Sequence, residues 1–507
     1  AAKLSWWRRL LVKLRLPTQV AIVQLTPMVI PFLMYVTLYK FFGVDIASIS
    51  YLTVVVALLV TAAFIWVEGF LALRPVAPPA EPAASYPFIV ESNRRAISGP
   101  LEPPREIGVP FPPANPWRSI TALLSSPDDS GGHYPPASAV IAAYLPNEAA
   151  TVVETIEAFL RIEYPAPLQI ILAYNTPMDL PVEATLQDIA RRDPRFLPLR
   201  VENSVSKAQN VNAALAEVSG EFLGVFDADH HPNADSFTRA WRWLSNGYDV
   251  VQGHCLVRNG DESWVARVVA IEFESIYAVS HPGRARMHGF GIFGGTNGYW
   301  KTKLLHQTRM RGSMLTEDID SSLRVVEAGY KIASDPHLIS KELAPVELKA
   351  LWNQRMRWAQ GWFQVSIKHL WRGIRSPHLS LQQKLGFFHL LAWREIYVWL
   401  SVQIFPVIAF WAWKYGSLTK INWLVPIFVL TTLFTLSVGP GQTVFAYLLA
   451  PPEIRRHRRW FAFYLIVSSP FYPEFKNLIA KVAQVKEVMG EKKWKVTPRT
   501  SAVDTKK

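Results

Sequence analysis

The sequence is poor in cysteine and in charge. Cys255 is the single cysteine among 507 residues, which excludes an internal disulfide framework and fits a polar region kept in a reducing compartment. Only 18% of the residues are charged, whereas 50% are hydrophobic. Uncharged runs cover residues 16–39, 46–67, 396–413 and 421–452. Because about twenty apolar residues span a bilayer as a helix, we expect an integral membrane protein.

The positive charge of the chain is concentrated beside these runs. The net charge is +13, which could suggest a nucleic-acid partner. However, basic residues cluster before the first run and near the last, a pattern typical of cytoplasmic anchoring and of contact with anionic lipids. They are Lys3, Arg8, Arg9, Lys13, Arg15 and the segment Arg455–Arg459. We therefore expect membrane lipids and no nucleic acid as partners, with the catalytic region on the cytosolic side of a plasma or inner membrane.

Composition divides the chain into six parts. We expect a two-helix transmembrane hairpin (1–74), a proline-rich linker or draped loop (75–136), a cytosolic catalytic domain (137–362), an interfacial helix region (363–384), a C-terminal transmembrane region (385–482) and a basic cytosolic tail (483–507). The number of C-terminal crossings is open, because Gly439, Pro440 and Gly441 interrupt an apolar run that is long for one span.

The middle of the chain alternates short apolar strands with amphipathic helices. "SAVIAAYLP", "LQIILAYN" and "EFLGVFDAD" have the texture of buried strands, while "EAATVVETIEAFLRI" and "AQNVNAALAEV" have helical spacing. This alternation predicts a mainly parallel sheet covered on both faces. Ligands bind such sheets beyond the carboxyl ends of the strands, so the polar residues that follow the strands are the candidate site.

Two acidic motifs occur in this region. Asp227 and Asp229 follow the strand "GVFDAD", and carboxylates in this arrangement can hold a divalent cation against a diphosphate. Glu317 and Asp318 follow Thr316, which could cap a helix that gains from acids in its first turn. The functional interpretation makes Asp318 a general base.

A third motif, Gln-x-x-Arg-Trp, lies in "NQRMRWAQGW". On a helix Gln354 and Arg357 share a face, and Trp358 stands one turn beyond Gln354. The planar fork of arginine suits a leaving diphosphate, and tryptophan offers a flat platform to a sugar ring. Alone, the stretch would also be explained as a membrane-interface belt.

The three motifs together, in this order and between membrane segments, resemble the membrane-integrated family-two glycosyltransferases, which include the cellulose, chitin, hyaluronan and mannan synthases. The resemblance covers about Ala139 to Gly361. It implies an α/β nucleotide-sugar-binding (GT-A-like) cytosolic domain combined with an α-helical transmembrane domain. It also implies inverting transfer from a nucleoside-diphosphate sugar with the help of Mg²⁺ or Mn²⁺.

The resemblance further implies roles for individual residues. Asp227 and Asp229 would bind the metal and the diphosphate, and Asp318, beside Glu317, would deprotonate the acceptor. Further donor contacts would come from "YLPNE", the lysine segment and the Gln-x-x-Arg-Trp motif: Tyr144, Pro146, Glu148, Lys207, Gln354 and Arg357. The acceptor would meet Trp358 and the loop "FGGTNGYW", with Gly295, Thr296 and Asn297 exposed to the sugar.

One departure concerns the nucleotide base. Many members carry Asp-Asp-Gly after the second strand, whereas this strand ends in Tyr174 and Asn175. Asn175 could hydrogen-bond a base edge without a charge. A UDP-sugar is favoured as the donor and a GDP-sugar is the alternative.

The acceptor is open as well. A growing polysaccharide that passes through the membrane helices is the first interpretation. Addition of one or a few sugars to a membrane lipid such as ceramide or diacylglycerol is the second. A membrane scaffold or transporter with a relict domain is the third, and the intact motifs argue against it.

Overall fold

The catalytic region is built on one eight-stranded sheet. The computed structural model describes residues 6–83, 134–417 and 425–491. In spatial order the strands run β3-β2-β1-β4-β7-β6-β8-β5, and β7 is antiparallel to both of its neighbours. The strands are β1 (Ala137–Tyr144), β2 (Leu168–Asn175), β3 (Phe196–Arg200), β4 (Phe222–Asp227), β5 (His231–Pro232), β6 (Val250–Val257), β7 (Gly298–Lys301) and β8 (Ile332–Glu342).

Helices precede, interleave with and follow the strands. In chain order they are α1 (Trp6–Phe42), α2 (Ile46–Ala72), α3 (Leu145–Glu148), α4 (Val152–Leu160), α5 (Pro181–Arg192), α6 (Lys207–Ala214), α7 (Ser236–Ser245), α8 (Trp264–Phe273), α9 (His281–His288), α10 (Thr302–Thr308), α11 (Glu317–Glu327), α12 (Leu348–Arg375), α13 (Leu381–Phe387), α14 (Arg394–Leu400), α15 (Ile404–Tyr415), α16 (Val425–Leu449), α17 (Pro452–Arg455), α18 (Arg458–Phe463) and α19 (Ser469–Val488). Short π or 3₁₀ turns, at Glu274–Ser280, Phe388–Trp393, Ser401–Gln403 and Tyr464–Ser468, join α8 to α9, α13 to α15, and α18 to α19.

The sheet is buried on both faces, as the apolar strands predict. One face packs against α6, α11 and α12, and the other against α4, α5 and α7. Strands β1, β2, β3 and β4 run parallel to their neighbours within this group, so their carboxyl ends meet at one edge. The expected strands and the mainly parallel sheet are confirmed; the antiparallel insertion of β7 has no signal in the apolar pattern.

Three helical segments within the described residues are long and apolar enough to cross a membrane. They are Leu16–Phe42, Ile46–Ala72 and Leu381–Tyr415. Helix α16 is continuous from Val425 to Leu449 and passes through Pro440. Gly441 has a packing role, because a Cβ there would lie 2.6 Å from the Trp66 ring of α2. The expected interruption is therefore a place where two helices approach closely.

One expected domain boundary falls inside a helix, and two expected segments lie largely outside the described residues. Helix α12 runs without a break from Leu348 to Arg375, so the division expected between residues 362 and 363 falls inside one helix. Most of the proline-rich segment (84–133) and the end of the basic tail (492–507) lie outside the described residues. The expected linker or draped loop and the expected cytosolic tail therefore stay predictions.

The hairpin meets the catalytic domain where α9 crosses the end of α2. The Arg284 guanidinium donates to the buried Glu68 carboxylate at 2.7 Å. Arg286 donates to the carbonyls of Leu71 and Arg74 at the end of α2. The backbones approach so closely that a Cβ on Gly283 would lie 2.2 Å from the Glu68 carbonyl oxygen.

This contact gives a test of the packing. Gly283→Ala is expected to destabilise the protein by about 1–3 kcal/mol, the usual cost of overpacking a close contact. Thermal unfolding in detergent measures it, with Ala285→Ser on the partly exposed side of the same helix as the control. Equal midpoints for the two variants would contradict the close packing.

Candidate active site

The two aspartates after β4 have different surroundings. Asp227 ends the strand, its backbone N–H donates to the Thr296 hydroxyl at 3.1 Å, and about a third of its side chain is exposed. Asp229 is buried, and its carboxylate accepts the Leu343 N–H at 3.0 Å. Asp227 therefore presents its carboxylate to the cleft, while Asp229 ties the motif to the end of β8.

Lys207 places a positive charge against Asp227. Its ammonium donates to Asp227 Oδ1 at 2.5 Å and to the Gly295 carbonyl at 2.6 Å. Lys207 is the first residue of α6, whose N-cap Ser206 accepts the Gln209 N–H. Burial alone would lower the pKa of Lys207, but the charge of Asp227 and then of Glu317 raises it. The lysine is therefore firmly protonated.

The second acidic pair begins α11 across the cleft from α6. Burial, reinforced by the charge of Asp318, raises the pKa of Glu317 to about 7. Burial also raises the pKa of Asp318, while the charges of Lys207 and Arg357 oppose that rise. Asp318 Oδ1 accepts the Ile319 N–H at 2.9 Å. Thr316 is at the N-cap position as expected, but its side chain makes no capping hydrogen bond and packs against Gly361 of α12.

Gly295 connects the two halves of the site. Its φ of +100° is in the region that favours glycine, and a Cβ there would lie 2.5 Å from Asp318 Oδ2. The same residue offers its carbonyl to Lys207. Asp318 thus faces the space that the absent side chain leaves open.

The expected exposure of the rest of this loop is wrong. Asn297 is fully buried, with φ +49°, and its amide donates to the carbonyls of His254 and Leu338. It pins β6 to β8 where the register between these strands shifts. Thr296 is also buried and holds the Asp227 backbone. Both residues support the site from behind and present no side chain to an acceptor.

The nucleotide loop after β1 is more open. Tyr144 and Pro146 are exposed and Glu148 is partly exposed at the carboxyl edge of the sheet. Asn175, on the neighbouring strand, accepts from the Asn210 amide at 2.8 Å and donates to the Ser204 carbonyl at 3.0 Å. Its amide already makes these bonds within the domain, so contact with a base would use its remaining N–H; the expected base contact stays a prediction.

The two arginines of "NQRMRW" face different surroundings. Arg357 contacts the Leu315 carbonyl at 3.5 Å, and its charge reaches Glu317 and Asp318. Arg355 points into the protein, where it donates to Gln354 Oε1 and to the Glu272 carboxylate. Gln354 is consequently buried beside Arg355. Only Arg357 faces the acidic cleft.

Arg355 also supports the tryptophan. Its guanidinium lies 4.2 Å from the Trp358 ring centroid, so one ring face is already covered. Glu272 binds Arg355 and accepts from the Tyr472 hydroxyl and from Lys476 of α19. Burial opposes ionisation of Glu272, but Arg355 and Lys476 lower its pKa to about 2. Arg355, Glu272 and Tyr472 were not identified from the sequence, because a buried ion pair between distant segments has no local pattern.

Within the part of the chain that the structure describes, two groups of ligand atoms could hold a cation. The first comprises the Asp227 carboxylate and the Gly295 carbonyl, and the Lys207 ammonium lies between them. Carboxylate and carbonyl oxygens are ligands that Mg²⁺ and Mn²⁺ accept. The second comprises His230, Cys255 and Glu342, whose donor atoms lie within 4.8 Å of one another. Burial keeps the pKa of Cys255 well above its usual range, and the second set has no exposed member. The Asp227 edge is therefore the set that a diphosphate can reach.

The fold thus gathers the expected acids, Lys207, Gly295 and Arg357 around one cleft. Residues 135–361 match the family described as "Glycosyltransferase like family 2". They form a family-two glycosyltransferase domain. The remaining chain adds the apolar helices before and after it.

Curated relatives differ in their acceptors. The chain is 28% identical over 247 residues to poly-beta-1,6-N-acetyl-D-glucosamine synthase of Staphylococcus epidermidis, a match that covers 48% of this chain and 58% of that protein. It is 23% identical over 305 residues to beta-monoglucosyldiacylglycerol synthase of Synechocystis, covering 59% of this chain and 63% of that protein. The matched part therefore spans about three-fifths of the length of these relatives.

Among solved structures, a mannosyltransferase from Pyrobaculum calidifontis in complex with GDP-Man and Mn²⁺ is similar. The TM-score is 0.48 at 18% identity, covering 74% of this chain and 94% of that one.

The unequal roles of the two arginines can be tested with one substitution type. Arg355→Lys is expected to lower the unfolding midpoint, because lysine keeps the charge but loses the planar contacts of the guanidinium to Glu272 and Trp358. Arg357→Lys is expected to leave the midpoint within about 2 °C and to lower nucleotide release by about tenfold or more. Thermal unfolding and nucleotide release from UDP- and GDP-sugars measure both variants. Equal effects of the two substitutions on the unfolding midpoint and on nucleotide release would contradict the different roles assigned to Arg355 and Arg357.

Proposed function

We propose that this chain transfers a sugar with inversion from a nucleoside-diphosphate sugar to a growing polysaccharide, which then passes through the membrane helices. The observation that carries the proposal is the single cleft in which Asp227, Lys207, Asp318 and Arg357 meet. It combines a carboxylate base with cationic groups for a leaving diphosphate. A UDP-sugar is the favoured donor.

The base in this mechanism is Asp318. One of its oxygens, Oδ2, lies against Gly295, where a Cβ would be only 2.5 Å away, and the acceptor hydroxyl would approach this oxygen. Burial raises the pKa of this carboxyl above its usual range, which increases its ability to take a proton. The deprotonated hydroxyl attacks the anomeric carbon from the face opposite the diphosphate, so the configuration inverts in one displacement.

The leaving group needs positive charge at the other side of the sugar. Arg357 and Lys207 are the cations that already face the acids, and such preorganised charge is usually the largest contribution in sites of this kind. Asp227, with Asp229 behind it, would hold Mg²⁺ or Mn²⁺, which supplies further charge to the diphosphate when bound. Tyr144, Pro146, Glu148 and Asn175 would contact the nucleoside. Gln354, expected at the diphosphate, is buried and accepts from Arg355, so it would act indirectly by supporting the helix that carries Arg357.

The path of the acceptor follows α12 towards the membrane helices. Trp358 would form the floor of the acceptor site with its uncovered face. One turn further, the Trp362 ring lies 4.2 Å from the Arg394 guanidinium of α14, which stands inside the apolar segment Leu381–Tyr415. A glycan leaving the site along this path would therefore meet aromatic and charged side chains where α12 contacts that segment. The catalytic domain would face the cytosol, with α1 and α2 returning the chain to that side.

A lipid acceptor is the alternative, and the similarity to beta-monoglucosyldiacylglycerol synthase favours it. The same path would then admit a lipid hydroxyl from the bilayer.

Product sizing separates a polysaccharide product from a glycosylated lipid. Purified protein is incubated with radiolabelled UDP-glucose, UDP-N-acetylglucosamine and GDP-mannose, and a polymer is expected from one of them. A product that extracts wholly with lipid would favour the alternative, and no nucleotide release from any donor would contradict both.

The role of Asp318 is tested by removing its charge. Asp318→Asn is expected to lower transfer by about 10²–10⁴-fold, the usual contribution of a positioned base, while nucleotide binding stays nearly unchanged. Calorimetric titration with UDP and GDP measures binding, and radiolabelled product measures transfer. Near-normal turnover would exclude Asp318 as the base.

The pH dependence tests the electrostatic link to Lys207. Because the ammonium favours the ionised form of Asp318, Lys207→Gln removes this effect and raises the pKa of that carboxyl further. The acidic limb of the turnover profile is therefore expected to move to higher pH. Lys303→Gln, which removes the same charge from an exposed position, is the control. An unmoved limb in Lys207→Gln would contradict the coupling.

A further inference from the structure

A buried charge cluster lies directly behind the proposed base. Asp320, two residues after Asp318 on α11, has no exposed surface. Its carboxylate accepts from Arg324 at 2.9 Å, Lys368 at 2.9 Å and His369 at 3.0 Å, and Arg311 lies at 3.7 Å. Burial would raise the pKa of Asp320, but the His369 hydrogen bond and the charge of Arg324 hold it well below the usual range. The carboxylate is therefore ionised.

His369 joins this cluster to a second carboxylate. The ring is fully buried on α12; Nε2 lies 3.0 Å from Asp320, and Nδ1 lies 2.6 Å from Glu327 Oε1. One nitrogen faces the ionised Asp320, which only accepts hydrogen bonds, and the other faces the Glu327 carboxyl, so this geometry favours the imidazolium form, in which both nitrogens donate. Burial opposes this charge, but the hydrogen bonds to Asp320 and Glu327 raise the pKa of His369.

The geometry makes this ring a clamp between two helices. Asp320 and Glu327 are seven residues apart, so they lie on the same face of α11 about two turns apart. His369 reaches between them from α12, the helix that carries Arg357 twelve residues earlier. Helix α11 carries the base and α12 carries the arginine. Any sliding of one helix along the other would break one of the two hydrogen bonds.

A second contact holds the other side of the base. The Gln364 side-chain oxygen, also on α12, accepts the Leu315 N–H at 3.1 Å. Leu315 precedes Thr316 and the acidic pair. Glu317 and Asp318 are thus held by attachments to α12 on both sides in sequence: the Gln364 bond before them, and the contacts of Lys368 and His369 with Asp320 after them.

We propose that His369, bound between Asp320 and Glu327, is a positioning residue that fixes the base Asp318 relative to the diphosphate-binding Arg357. The proposal rests on the function proposed above. His369 touches neither substrate; it acts through the relative placement of α11 and α12, on which the approach of the acceptor hydroxyl depends.

The decisive variants are His369→Gln, which leaves at most one of the two bonds, and Glu327→Gln, which keeps the size of its side chain but weakens one bond. The Glu327 side chain is 15% exposed, so Glu327→Gln is expected to fold even if His369→Gln does not. Ser376→Ala is the matched control. It removes the bond from the Ser376 hydroxyl to the Glu327 carbonyl, 2.9 Å long, which joins the same two helices at their far ends.

Nucleotide release is measured with full-length protein and UDP-glucose, UDP-N-acetylglucosamine and GDP-mannose. His369→Gln is expected to lower kcat by about tenfold or more, as displaced reacting groups do, with donor KM within about threefold. Glu327→Gln is expected to give a smaller loss of kcat in the same direction. Ser376→Ala should keep kcat within about twofold. A folded His369→Gln with full kcat, or an equal loss in Ser376→Ala, would overturn the proposal.

Hydrogen exchange provides a readout that does not depend on turnover. The amides of residues 314–321 are expected to exchange faster in His369→Gln and Glu327→Gln than in the unchanged protein, while Ser376→Ala leaves them alike. Unchanged exchange in both clamp variants would overturn the clamp. If the unchanged protein releases nucleotide from no donor, the proposed function fails, and the exchange experiment still decides whether His369 fixes the acidic segment.

Discussion

The site depends on one ammonium group among several carboxylates. Asp227, Glu317 and Asp318 approach one another in a partly buried cleft, where like charges and lost hydration both oppose ionisation. Lys207 stands between them and binds the Asp227 carboxylate and the Gly295 carbonyl. Without this charge, two of the three acids would be driven further towards their neutral forms. Two local features let Lys207 and Asp318 come close. Gly295 has no side chain to keep Asp318 away, and the N-cap Ser206 begins the helix at Lys207.

Helix α12 holds this cleft in place against the helices that follow it. Its first half carries Arg357 towards the acids and Arg355 towards Glu272 and α19. Its second half carries the residues that bind α11. Because the helix is continuous, the same rigid element contacts the acidic segment, the catalytic domain and the helices that follow. One face of this helix therefore meets the acids of the candidate site and another packs against Glu272 and α19, and the stretch "NQRMRWAQGW" contributes to both.

Local patterns predicted the parts of the site that depend on a few adjacent residues. Apolar runs identified β1, β2 and β4, and the acids that follow them identified the cleft. Thr296 and Asn297, whose expected exposure is wrong, lie in a motif whose glycine does face the site. The direction of the Asn297 side chain follows from its left-handed backbone and from the carbonyls of β6 and β8 that it binds, which are far away in sequence. Glu272 and His369 were not predicted for the same reason. Arg355, which binds Glu272, is 83 residues away in sequence, and Asp320, which binds His369, is 49 residues away.

The adjacent acids Glu317 and Asp318 are unequal, and the inequality decides which one suits the base. Both carboxyls are disfavoured as anions by burial, and the repulsion between them favours a state in which one retains a proton. Glu317, with its pKa raised to about 7, is suited to retain it. Asp318 has the Ile319 N–H as a fixed donor to one oxygen and faces the space over Gly295 with the other. A carboxylate anchored in this way keeps its orientation while its free oxygen takes a proton. Protonated Glu317 then carries no charge that would repel the diphosphate, so the pair supplies one base and only one negative charge.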